Sequence, residues 1–188
     1  LGSMLIYFIV VPLIAAYLML EMNPLRARVL MLVPPMYRRD VTEIGSSINE
    51  MLGRYVRGQM IVCSIFGVLC TVAFYGLSIK YGMSYPLVLG LAAAFLYIVP
   101  YLGMATIATA AALAGYFTSS EPITCALIAV GCCVVFNLVI DYGISPRVLG
   151  QGVGLHPLMI IFALLSGSQL GGVAGMILAV PFFAALRV

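Results

Sequence analysis

Residues 81–120 read YGMSYPLVLGLAAAFLYIVPYLGMATIATAAALAGYFTSS, forty positions without one charged side chain. A helix crosses the roughly 30 Å hydrocarbon core of a bilayer with about 20 residues. As one straight helix this stretch would be about 60 Å long, twice that thickness. It must therefore turn back on itself, and Pro100-Tyr101-Leu102-Gly103 lies near its midpoint, where a turn would fall. The run from Val148 to Leu186 poses the same problem with 39 uncharged residues, interrupted by Gly167-Ser168-Gln169-Leu170-Gly171-Gly172.

The other charge-free intervals each suit a single crossing: Met4–Leu20 with 17 residues, Gly58–Ile79 with 22 and Pro122–Ile140 with 19. The whole chain has 188 residues, 64% of them hydrophobic and 8% charged, which excludes an ordinary soluble domain as well as disorder, collagen and a disulfide scaffold. The fold class expected is an all-α polytopic membrane protein with the lipid bilayer as its surroundings. The two long runs are read either as interrupted, re-entrant helical hairpins or as ordinary hairpins with short loops. Non-helical backbone at membrane depth needs protein or a water-filled cavity around it. Paired interrupted segments point to a transporter's binding site.

Six of the nine positive residues, Arg26, Arg28, Arg38, Arg39, Arg54 and Arg57, lie between the first and second hydrophobic segments. That excess makes residues 23–56 the expected cytoplasmic connection. Within it Val41, Ile44, Ile48, Met51 and Leu52 share one helical face, with Arg38, Arg39, Asp40, Glu43 and Glu50 around the rest, the pattern of an amphipathic helix. Residues 1–3 resemble a linker scar, with natural sequence expected upstream. Residues 4–22 are then a transmembrane helix and 57–188 a transport core, with hairpins near 85–118 and 157–187. No basic leader with a small-residue cleavage site is visible.

Few side chains could carry chemistry. Asp141 ends an apolar run and follows Asn137 by one helical turn, so both project from one face. Ionisable groups at membrane depth are costly and usually face a pathway; the alternative is a solvated helix-end carboxylate paired with Arg147. His156 is the sole histidine, in a glycine-spaced loop with Pro157, and is read either as a proton-sensitive group or as a loop-shaping donor. Its glycines lack the flanking strand and lysine of a nucleotide motif. Gly167, Gly171 and Gly175 are spaced by four, a close-packing signal in lipid. The five cysteines, odd in number and in no C-x-x-C pair, indicate neither a metal nor a disulfide framework. No catalytic constellation stands out, so no enzyme, resident cofactor or nucleic-acid partner is expected.

Several motifs follow in order: Leu32-Val33-Pro34-Pro35-Met36-Tyr37-Arg38, Tyr55-Val56-Arg57-Gly58-Gln59, Ile98-Val99-Pro100-Tyr101-Leu102-Gly103, Ser145-Pro146-Arg147-Val148-Leu149-Gly150, Gly154-Leu155-His156-Pro157-Leu158 and Gly175-Met176-Ile177-Leu178-Ala179-Val180-Pro181. In this order the chain resembles the autoinducer-2 exporter family of bacterial permeases. The resemblance implies a multi-pass inner-membrane transporter exporting the quorum-sensing signal autoinducer-2 or another small polar solute. Sodium or lithium exchange for protons is the alternative, so H+ or Na+ is a candidate coupling ion. It also implies a homo-oligomer, a pentamer among relatives, with a hairpin-bearing part moving against a scaffold. From another class, a non-transporting membrane assembly domain stays open.

On this reading Asn137, Asp141, Pro100, Tyr101, Gly103 and Gln169 line the substrate or ion pathway. Pro146, Arg147, His156 and Pro157 shape a gate, while Gly167, Gly171, Gly172 and Gly175 make the second hairpin's turn and packing. The chain departs from the family pattern where a substrate would bind. Leu96-Tyr97 stands where many relatives carry an asparagine, Met104 replaces a proline, and Asn137 and Asp141 are shifted relative to a glutamine and glutamate.

Overall fold

A computed structural model describes residues 30–148 and 157–186, with isolated positions between 10 and 28. The described chain is all helical, as expected, and divides into two compact units, 1–49 and 50–188. The expected crossing at 4–22 is described only at scattered positions from 10 onward, all helical.

In the first unit a 3-10 turn, Pro35–Tyr37, leads into the start of helix α1, Arg38–Tyr81, whose residues from 50 onward belong to the second unit. Arg39 and Glu43 pair on its exposed surface at 3.1 Å. The amphipathic segment is the first part of this one 44-residue helix and not a separate element, and the expected boundary at 56/57 falls inside it. The physical reason is the absence of proline between Pro35 and Pro86: the glycines in between weaken a helix without stopping it.

In the second unit prolines start three further helices, where a missing N–H costs nothing. They are α2, Pro86–Leu96; α4, Pro122–Val139; and α6, Pro157–Ala185, with α3, Leu102–Thr118, returning from α2. A π-helical turn, Ile140–Ile144, and the short α5, Ser145–Val148, continue α4. By length and composition Pro35–Tyr81, Pro122–Val148 and Leu158–Ala185 are long and apolar enough to cross a membrane.

The third of these does not run straight. Gly171 and Gly172 leave helical geometry, Gly172 with φ +57° and ψ −136°. A Cβ on Gly167 would lie 2.5 Å from the Gly175 carbonyl oxygen. Phe162 and Phe183 meet edge to face with centroids 6.0 Å apart, where a straight helix would hold residues 21 apart about 31 Å from each other. The chain therefore reverses at Gly171–Gly172 and α6 is two antiparallel arms.

The core lies between α1, α3 and α4. Val62, Phe66, Cys70, Phe74 and Leu77 form one buried face of α1, against Ile107 and Ala111 of α3 and Cys125, Ala129 and Cys133 of α4. Small residues let α1 and α2 approach closely: Gly67 faces Ala94, and Gly90 faces Thr71. At the Lys80 end, the Ser120 amide and hydroxyl both donate to the Tyr81 carbonyl, and the Ser84 amide donates to Thr118 Oγ1. Four segments converge at the other end, about 33 Å along α1, near Gln59.

Candidate functional site

The connection from α2 to α3 is built from bulky residues. Leu102 N–H donates to the Pro100 carbonyl at 2.7 Å across Tyr101, whose φ is +61° and ψ −49°. That is a γ-turn with a positive central φ, a rare and strained arrangement for a residue with a side chain. The chain folds back so tightly that a Cβ on Gly103 would fall 2.8 Å from Tyr97 Cα and 2.5 Å from the Leu96 carbonyl carbon. Glycine is required there by space.

Tyr97 ends the first arm and is buried. Its ring stacks on Phe66 of α1 with centroids 4.0 Å apart, and Gln59 Nε2 donates to its carbonyl at 3.2 Å. Its hydroxyl accepts a hydrogen bond from Asn137 Nδ2 at 2.6 Å and donates to Asp141 Oδ1 at 3.3 Å. One tyrosine thus joins the first break to α1 on one side and to the end of α4 on the other. Asp141 sits in the π-helical turn, a feature frequent at functional sites.

These groups line a cavity of about 410 Å³ together with Tyr55 and Val62 of α1, Pro100 and Tyr101 of the turn, Tyr142 and Ser145 beyond Asp141, and Ile160 and Val180 of the two α6 arms. In its wall Tyr55 packs against Leu164 and Val180, holding both arms of α6 to α1. The cavity joins an apolar envelope to one carboxylate, two amides and several hydroxyls. Such a lining can bind and orient a small polar solute or an ion.

Of the residues singled out in the sequence, Asn137, Asp141, Pro100 and Tyr101 meet at this cavity, and Gly103 packs directly beneath its turn. Asp141 is held by Tyr97, and no ion pair to Arg147 forms among the described residues. Gln169 and the reversal at Gly171–Gly172 do not line it, since α6 contributes the open ends of its arms and not its tip. Gln169 lies exposed beside that tip. Pro146 and Arg147 are exposed on α5, just past Ser145. Pro157 is the first residue of α6, and His156 lies outside the described residues.

Sequence reasoning gave no role to Tyr55, Gln59, Tyr142 or Ser145 and met Tyr97 only as a departure from a pattern. The usable signal was polarity: Gln59 opens the charge-free run from Gly58 to Ile79, and the hydroxyl of Tyr97 lies in strongly apolar surroundings. Among the described residues no cluster of His, Cys, Asp or Glu could hold a metal ion. Cys70, Cys125 and Cys133 fill helix interfaces as free thiols.

Comparison with known proteins bears on the whole chain. The family described as AI-2E family transporter matches residues 1–188. The Bacillus subtilis protein named "Putative transport protein YrrI" is 31% identical over 99% of this chain and 52% of its own length. "Putative transport protein YueF" of the same organism is 30% identical over 95% of this chain and 47% of its own. "Putative transport protein sll0063" of Synechocystis is 25% identical over 88% and 39%. The chain thus spans about half the length of the first two of these relatives. No solved structure matches it.

Proposed function

The chain belongs to the AI-2E family of transporters, and from that premise we propose that it forms part of a secondary transporter of the bacterial inner membrane that exports a small polar solute such as autoinducer-2. The observation that carries this reading is the Tyr97–Asn137–Asp141 cluster facing a solute-sized cavity, where the runs 81–120 and 122–140 leading to it carry no charge. An ionisable group and two polar partners at membrane depth are costly to place there unless a pathway uses them.

Both interrupted segments are re-entrant on this reading. The 11 residues of α2 extend about 16 Å, and the arms of α6 are of similar size, all short of a crossing. The arginines of 23–56 face the cytoplasm, which sets the cavity toward that side of the membrane, near Arg54 and Arg57. Movement of the first break against α1 and α4 opens and closes the cavity, within a homo-oligomer. The carboxylate itself favours a second reading, a sodium or lithium/proton antiporter, since Asp141 can exchange a metal cation for a proton.

The test uses the full-length protein in proteoliposomes. Autoinducer-2 flux driven by an imposed proton gradient is expected, and Asp141→Asn is expected to abolish coupling while the purified variant stays folded. Unchanged ion-driven flux in that variant overturns the role of Asp141. A sodium- or lithium-dependent pH change inside the vesicles, with no autoinducer-2 flux, transfers the function to the antiporter. A flat trace in both assays, with Asn137, Gln169 and Asp141 tolerant of apolar replacement, would instead favour an assembly domain.

A further inference from the structure

Resting on the reading of this cavity as the solute site, we infer that it takes compact solutes rich in hydrogen-bond donors and bearing no negative charge, and that Asp141 sets this preference. Among the described residues Asp141 supplies the only formal charge in the lining, and none of these lining residues is arginine, lysine or histidine. The nearest cations on the same helices point elsewhere. Arg54, next to Tyr55, is exposed and turned to Glu50 at 3.7 Å. Arg57 is two residues from Gln59, about 200° around α1, and exposed; Arg147 stands in the same relation to Ser145 and is also exposed.

Hydrogen bonding makes the carboxylate an acceptor with capacity to spare. Tyr97 reaches it at 3.3 Å, long for a hydroxyl–carboxylate bond, because the same hydroxyl is drawn to Asn137 at 2.6 Å. An ionised carboxylate has about four lone-pair sites. Tyr97 and Asn137 both hydrogen-bond to Asp141, so about half of those sites are left for a ligand in the cavity. Gln59, Asn137 and Ser145 add side chains able to accept from a hydroxyl or an amine.

The walls act in the same direction. Tyr55, Tyr97, Tyr101 and Tyr142 are all lining residues, and the face of an aromatic ring carries negative potential. Such faces attract an ammonium group and suit the C–H faces of a polyol. A carboxylate or phosphate would meet Asp141 and these rings with no cation among the described lining residues to offset either. The ranking is therefore ammonium above neutral polyol above carboxylate.

Three probes on one carbon skeleton test the ranking: 3-amino-1,2-propanediol, glycerol and glycerate, each radiolabelled, in equilibrium dialysis against the full-length protein. The amine is expected to bind at least about tenfold more tightly than glycerate, with glycerol between. In Asp141→Asn the amine should lose most of that advantage, while glycerol binding changes by less than about threefold because the amide oxygen still accepts. Asp141→Glu should keep the amine preference, which separates charge from general damage to the site.

Glycerate binding as tightly as the amine, an amine preference that survives Asp141→Asn, or binding of none of the three by folded protein each overturns the inference. The outcomes are separable from those for transport. Selective binding without flux sinks only the transport reading, and flux of an anionic solute through the same cavity sinks only the selectivity.

Discussion

The two interruptions of the helical chain solve one geometric problem in opposite ways. The first, between α2 and α3, uses Pro100 and a tyrosine held at φ +61°. The second, within α6, uses Gly171 and Gly172, around which a Cβ would meet no atom within 4 Å. The first lines the cavity and is anchored through Tyr97, which contacts Phe66, Gln59, Asn137 and Asp141; the second ends in Leu170, which is 90% exposed. Reversing a chain needs only glycine, the residue with the fewest steric limits. Presenting side chains at a reversal means placing bulky residues in costly backbone, and surrounding contacts must offset the strain. The costly break is the one that meets the polar cluster.

The sharpest way to break that comparison is to add one methyl group to each reversal. In Gly103→Ala the new Cβ has nowhere to go, because its neighbours are the backbone of Leu96 and Tyr97 and not movable side-chain ends. Overpacking of this kind should cost about 3 kcal/mol, read as a large fall in the thermal midpoint of the purified protein. Gly171→Ala, with φ −144° and open space around it, should cost less than about 0.5 kcal/mol. Equal losses in the two variants would mean that the first reversal is no more tightly held than the second.

Tyr97→Phe probes what holds the first break to α4. The ring and its stacking on Phe66 stay; only the hydroxyl between Asn137 and Asp141 goes. An amide and a carboxylate then lose a partner, which costs about 1–3 kcal/mol where water is excluded. Both face an open cavity that water can enter, so the expected loss is near 1 kcal/mol. An unchanged thermal midpoint would show that the cluster does not bind the two segments together.

Much of this architecture was legible in the chain, and its limits have a physical cause. Charge-free runs longer than a bilayer had to turn, and the breakers Pro100–Gly103 and Gly167–Gly172 sit where α2 meets α3 and where α6 reverses. The i, i+4 spacing of Asn137 and Asp141 put them on one face, and both reach one tyrosine. That tyrosine was invisible as a partner because it is 40 positions from Asn137, and periodicity speaks only of neighbours on one helix. Gln59 was hidden similarly, since its role depends on where the Tyr97 carbonyl arrives. The continuous α1 was missed because polar and apolar halves of one helix look like two elements unless the lack of proline is weighed above composition.

A further small effect has a sign that decides most about the strained break. Tyr101→Gly removes the Cβ that makes φ +61° unfavourable, relieving about 1–3 kcal/mol of backbone strain. Against this stand the extra chain entropy of glycine, about 0.5–1 kcal/mol, and the lost contacts of a ring that is 54% exposed. The balance is a gain of roughly 0.5–1 kcal/mol, a rise of a degree or two in thermal midpoint. The same ring lines the cavity, so solute binding should weaken as stability rises. A variant both more stable and less able to bind would show that the backbone at Tyr101 is held out of its preferred region to keep its side chain at the site. A fall in midpoint would instead mean that the ring contributes more by packing than its backbone costs, and the contrast with the glycine reversal would lose its energetic basis.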